Sequence, residues 1–326
     1  MNRLKWIDWM KCIGMYLIIL GHFFSIGYRY IYVFSVPLFF LISGFLSKHE
    51  ITKSVFWRKT WHNLIIPTII ICVINVVIIP LVFSSYQHID LSSFSNIRRL
   101  LLYPIIGMQN ILDTCWFIYT LIILKIIHQY IKKLWWRWCI TVPFLVFSYL
   151  YNHIDMTILH PLLKNPNAIA NVFVAYPFFV LGDSLQQYKQ LLSDYHNKII
   201  IVTCFAICLL IVYYCGINND CVWMYKGAYG DNMILFLIGG IAGSAAIFCI
   251  AKSIGFCPNV IITISKGTII ILGFNKHFIS LFQYLIQIPN ILDYISALLI
   301  LILFVPIIKV MEKRFPIILG KNRINK

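Results

Sequence analysis

Apolar residues in this chain do not alternate with polar ones in the short patterns of soluble strands and helices; they run together in long blocks separated by short polar connections. Ten such blocks stand at about 10–27, 30–47, 64–84, 115–131, 138–151, 171–186, 199–215, 233–250, 267–286 and 294–309. Each is close to the length that a helix needs to cross a bilayer's hydrocarbon core. Inside lipid every backbone amide and carbonyl must be paired within its own segment, which an α-helix achieves. The pattern therefore predicts an all-α polytopic membrane helix bundle of about ten transmembrane helices. It reads as a single transmembrane domain over 1–310 followed by a basic tail at 311–326.

Composition narrows the class further. With 60% hydrophobic residues, 12% charged and a mean hydropathy of +0.83 over 326 residues, the chain departs from soluble domains, which are about half apolar and about a quarter charged. No small-x-small cleavage pattern follows the first block, so that block is read as retained. The net charge of +16 would suggest nucleic acid in a soluble protein, but here the positive-inside rule accounts for it and no nucleic-acid partner is expected. With the N-terminus inside, twenty of the twenty-seven Lys and Arg residues fall on inner ends and loops. Both termini are then cytoplasmic. The ten cysteines show no CxxC and no Cys/His ligand spacing; Cys204 and Cys208, four apart in an apolar run, read as packing rather than metal binding. A disulfide among Cys115, Cys215 and Cys221 is left open.

Candidate chemistry is concentrated at the start. The stretch RLKWIDWMKCIGMYLIILGHF carries Asp8, Lys11 and His22 on an otherwise apolar span. Charges within a membrane helix are costly and normally face a bundle interior or a wet cavity. At 100° and 1.5 Å per residue, Lys11 and His22 fall within about 20° of each other and roughly 16 Å apart along the axis. One face of the helix is therefore polar, and the i,i+3 spacing lets Asp8 share charge with Lys11. The second span, YIYVFSVPLFFLISGFL, has Pro37 to kink it and Ser43-Gly44 to admit another backbone.

Taken together, an Arg and an Asp ahead of the first span, a Lys eleven residues before a Gly-His, and PLFFLISGF on the second span resemble the membrane-bound acyltransferase-3 family, bacterial polytopic proteins that O-acylate sugars. The resemblance implies transfer of an acyl group, usually acetyl from acetyl-CoA as a donor substrate with no bound cofactor, to a saccharide or lipid-linked glycan hydroxyl at the inner membrane. His22 would be the general base or the acyl carrier, with Lys11 and Asp8 beside it in the catalytic group and Arg3 at the cytoplasmic mouth. The family commonly has Arg where Lys11 stands, so the cation is kept but not its forked geometry. Its basic pair before a Leu-x-x-Pro is matched imperfectly: Leu64 and Pro67 fit, and Arg58, Lys59 and His62 are the candidate contacts to coenzyme A phosphates. Those same residues also read as topogenic charge near anionic lipid.

Weaker echoes follow. Trp116-Phe117 resembles a family Trp-Phe run, though an aromatic belt explains Trp116 as well. YPFFVLGDSL resembles a Pro-Phe-Phe-x-Leu-Gly signature in which Gly182 suits close helix contact. ISKGTIIILGFNKHFIS is similar to a late segment leading to a His, with Asn275 and His277 as candidates for an outer vestibule. Between them, GINNDCVWMYKGAYGDN carries Trp223, Tyr225 and Tyr229 beside Asp220 and Asp231, a mix found where sugar rings are held and also in ordinary solvated loops. GGIAGSAA reads as tight packing. The competing classes are a polytopic transporter or flippase, for which no inverted repeat is visible, and an accessory subunit of polysaccharide export, against which the buried charges stand.

Overall fold

The computed structural model describes residues 3–75, 115–153, 168–220, 222–285 and 291–320. The far half of the expected third span, the outer segment with Arg98, Arg99 and Asp113, the loop at 154–167 and the end of the basic tail lie outside the described residues. What is described is almost entirely helix, as the long apolar blocks require. The helices are α1 (Lys5–His22), α2 (Tyr28–Phe45), α3 (Lys53–Thr60), α4 (Ile66–Val73), α5 (Trp116–Tyr130), α6 (Leu134–His153), α7 (Ala170–Gln186), α8 (Lys189–Asp194), α9 (Lys198–Asn218), α10 (Met233–Ser253), α11 (Asn259–Lys266), α12 (Thr268–Leu285) and α13 (Ile291–Arg314).

This is an all-α membrane protein. Among the described residues, four stretches are helices long and apolar enough to cross a bilayer by themselves: Tyr28–Phe45, Lys198–Asn218, Met233–Ser253 and Leu292–Arg314. α1 is also 18 residues long but carries Lys5, Asp8 and Lys11. Its polar face takes it out of the purely apolar class.

The chain forms two compact units. The first comprises 1–47, 175–224 and 228–310, and the second 48–174, 225–227 and 311–326. In the first, α1 is the central element, packed against α2, α10, α11 and α12. Trp6 anchors its N-terminal end, meeting Phe45 and Phe248 edge-on at 5.2 Å each. Small residues let helices approach, since packing rather than the hydrophobic effect drives association in lipid. A Cβ at Gly44 would strike the Phe179 carbonyl, and one at Gly182 would strike the Leu41 carbonyl. The two glycines thus form a reciprocal crossing of α2 and α7, as expected of Ser43-Gly44 and Gly182. Gly239, Gly240 and Gly243 of the small-residue run meet Val33, Phe178 and Phe34 in the same manner.

α1 ends in a tight reversal with Phe24 at φ +54° and Gly27 at φ +89°, after which α2 begins. α9 and α10 are joined by a short antiparallel ribbon, β1 (Val222–Trp223) with β2 (Ala228–Tyr229). Within the loop expected there, buried Asn219 ties this ribbon down: its amide donates to the Tyr229 carbonyl at 3.1 Å and its oxygen accepts from Asn232 N at 2.8 Å.

In the second unit a π-helical turn, Trp61–Ile65, leads into α4. Pro67 explains the irregularity, because it offers no N–H to the Asn63 carbonyl four residues back. The backbone of Asn63 is instead met by Gly320 at φ +67°, following the 3₁₀ turn Pro316–Leu319.

Candidate active site

The polar face of α1 assembles around Asp8, which is only 5% exposed. Arg3 reaches it as a two-pronged fork, Nε to Oδ2 at 2.5 Å and Nη2 to Oδ1 at 2.7 Å, the strongest ion-pair geometry available to a carboxylate. Ser265, at the end of α11, donates Oγ–H to the same Oδ1 at 2.6 Å. This hydrogen-bonded carboxylate raises the Arg3 pKa above its usual value, although the guanidinium is partly exposed. The hydrogen bonds of Asp8 thus go to Arg3 and Ser265, while Lys11, three residues on, shares in its charge without a direct bond. Helical spacing gave the charge neighbour, and the hydrogen-bond partners come from outside that spacing.

Lys11 is half-buried one turn further along. Among the described residues its ammonium has no hydrogen-bond or ion-pair partner. An amine held in a helix wall between a neutralised carboxylate and the imidazole above it is placed to meet an anionic group.

His22 closes the helix. Its Nδ1 lies 2.7 Å from the Ile18 carbonyl. A carbonyl oxygen only accepts, so Nδ1–H is the donor in this contact. The ring is exposed on its own unit. Just before it, Tyr32 OH donates to the Gly21 carbonyl at 3.1 Å, satisfying one of the carbonyls that a helix end leaves open.

α12 leaves from the level of Asp8, through Ser265 and Gly267, and α13 begins where Tyr294 donates to the Ile26 carbonyl beyond the end of α1. α12 thus runs alongside α1 in the same direction. Asn275 lies on its inner face, 2% exposed, with Oδ1 buried and unpartnered among the described residues. His277 is half-buried on the same helix.

The remaining candidates belong to the second unit. Lys59 is paired with Glu50 through both carboxylate oxygens at 2.8 Å, and Gln129 brackets the Glu50 backbone with two bonds of 3.0 Å. Arg58 is exposed at the end of α3. His62 lies in the π turn with a buried Nδ1 that no described group meets, and such turns recur at functional sites. Trp116 opens α5 and is buried, at 8% exposure, edge-on to Phe117.

A family model described as an acyltransferase domain, that of the acyltransferase-3 family, matches residues 4–310. The chain belongs to the acyltransferase-3 family. The match spans the whole of α1 and runs to about one turn short of the end of α13, so Asp8, Lys11, His22 and the later candidates lie within the acyltransferase domain, while Arg3 stands one residue ahead of it. Searches of curated proteins and of solved structures found no match. Ser265 is the residue of this acyltransferase site that sequence reasoning passed over. Its only signal was a place in the late segment, with nothing to show that its hydroxyl would meet Asp8.

Proposed function

We propose that this acyltransferase moves an acyl group, acetyl in the first instance, from acyl-CoA to a hydroxyl of a cell-surface or lipid-linked saccharide. The observation that supports the reading is the His22 ring at the end of α1, whose Nδ1–H is committed to the Ile18 carbonyl, so that in the neutral ring Nε2 is the basic nitrogen. In this mechanism Nε2 takes the proton of the acceptor hydroxyl as its oxygen attacks the thioester carbonyl. The C–S bond then breaks, and the imidazolium returns the proton to the departing coenzyme A thiolate. In the alternative course Nε2 attacks the thioester carbonyl, the C–S bond breaks and the coenzyme A thiolate leaves with the ring proton; the acyl-imidazole then passes its acyl group to the acceptor oxygen, whose proton returns to the ring.

Lys11, with no described partner, meets the developing negative charge or a donor phosphate. Asp8 holds Arg3, and through it the inner mouth of the site, in place. Arg58, Lys59 and His62 contact coenzyme A phosphates, Lys59 by exchanging its Glu50 partner for phosphate. Trp116, Asn275 and His277 serve the acceptor side. The protein sits in the bacterial inner membrane with about ten spans and both termini cytoplasmic, as its distribution of basic residues supports.

The test incubates membranes containing the protein with acetyl-CoA labelled in the acetyl group. Label passing to envelope glycan, and lost in His22→Ala despite normal insertion, supports the reading. Normal transfer by that variant overturns the assignment of His22, and no transfer by the wild type overturns the activity.

A further inference from the structure

Beside the turn that follows His22, a small cavity of about 170 Å³ opens between the start of α2 and the α9–α10 connection. Its walls are of two kinds. Trp223 lies nearly parallel to Tyr32 with ring centroids 5.9 Å apart and planes at 25°, and Phe24, outside the lining, lies 5.6 Å from the same indole. Tyr28 meets Tyr32 edge-on at 5.8 Å. Across from these rings, Arg29 Nη2 is 2.6 Å from Asp220 Oδ1, with both side chains about half exposed.

The backbone beneath is rigid. Asn219 is buried and locks the ribbon that carries Trp223, and Tyr32 is bonded to the carbonyl of Gly21, the residue before His22.

We infer that this cavity is a saccharide subsite that holds one pyranose ring of the acceptor against Trp223 and Tyr32, with its hydroxyls on Arg29 and Asp220. The inference rests on the transferase reading above and deepens it. A pyranose presents C–H groups on its faces and hydroxyls around its rim. Aromatic faces are negative at the ring centre and attract the C–H side, while a few placed polar groups fix orientation. Arg29 and Asp220 neutralise each other, so the cavity offers donors and acceptors without net charge. That selects a neutral polyol over a phosphate, which would be drawn to an unopposed cation. An ion pair this exposed is weak, so hydroxyls can enter between its partners at little cost. The location suits the reaction, because the aromatic floor is joined through Gly21 and Phe24 to the residues on either side of His22.

The experiment measures binding, in lipid nanodiscs, of oligosaccharides released by mild acid from the envelope of the source organism, by saturation-transfer difference NMR and calorimetry. Wild type and His22→Ala should bind alike. Trp223→Ala should weaken binding about tenfold or more and Trp223→Phe much less, in line with the loss of one stacked aromatic. Asp220→Asn, at an exposed position, should weaken binding without affecting folding. Binding by Trp223→Ala and Asp220→Asn within about twofold of wild type, or no binding by the wild type, overturns the subsite. Acyl transfer by the wild type with an unchanged acceptor KM in Trp223→Ala leaves the enzyme reading intact and sinks the subsite alone. Saccharide binding that depends on Trp223 but no transfer does the reverse.

Discussion

Ser265 and Asp8, 257 residues apart in the chain, are joined by a hydroxyl-to-carboxylate hydrogen bond of 2.6 Å in the buried inner half of the first unit. The bond fixes the end of α11 to the first turn and a half of α1. It also divides the work on one carboxylate between a late helix and an N-terminal arginine.

Removing that hydroxyl should be felt. Ser265→Ala leaves Asp8 Oδ1 with Arg3 alone, and the loss of a hydrogen bond to a buried charge costs about 1–3 kcal/mol. A lower thermal midpoint in detergent, with Ser265→Thr closer to wild type, is the expected result. Asp8→Ala should be worse, because Arg3 loses its counter-charge, with a cost nearer ~3–5 kcal/mol if the arginine stays in place.

At Lys11 the charge and its geometry separate. Lys11→Met should raise the acyl-CoA KM or lower kcat, by about tenfold or more in kcat/KM, as one charge-assisted contact worth ~1.5–3 kcal/mol is lost. Lys11→Arg should retain most activity. Steady-state kinetics with acetyl-CoA varied at fixed acceptor checks both, and equal rates for Lys11→Met would remove Lys11 from the site.

For His22 the expectation is on the chemical step. His22→Gln, which still bonds and still inserts, should lose on the order of 10²–10⁴ in rate, the usual share of a general base. A single-turnover measurement with bound donor isolates that step from substrate binding.

The crossing of α2 and α7 gives a test free of catalysis. Gly44→Ala and Gly182→Ala each place a methyl on a backbone carbonyl that cannot move aside like a side chain. Overpacking of this kind costs about 1–3 kcal/mol or more, and the variants should accumulate poorly and unfold earlier. Gly255→Ala, where a Cβ meets nothing within 4 Å, should match wild type.

Several of these elements were legible from residue order. The close approach at Gly44 and Gly182 followed from small residues in apolar spans, because little else explains glycine there. The polar face of α1 followed from helical spacing. The pairing of Asp8 did not, because spacing offers Lys11 as a neighbour and says nothing of a serine on another helix. Trp116 read as a belt residue because an aromatic near a span end is usual there, but its burial depends on what packs over it. The ribbon at Val222–Tyr229 was likewise hidden in a loop, since two-residue strands leave no periodic trace.

By itself the chain determined that it would be helical and membrane-embedded, because lipid leaves unpaired backbone groups no alternative and long apolar blocks no other solvent. It also determined that the face of α1 with Lys11 and His22 would be polar. Tertiary structure alone decided that Ser265 meets Asp8 and which rings gather beside the turn after His22. Such contacts depend on distances between segments far apart in sequence, and those distances exist only once the helices have packed.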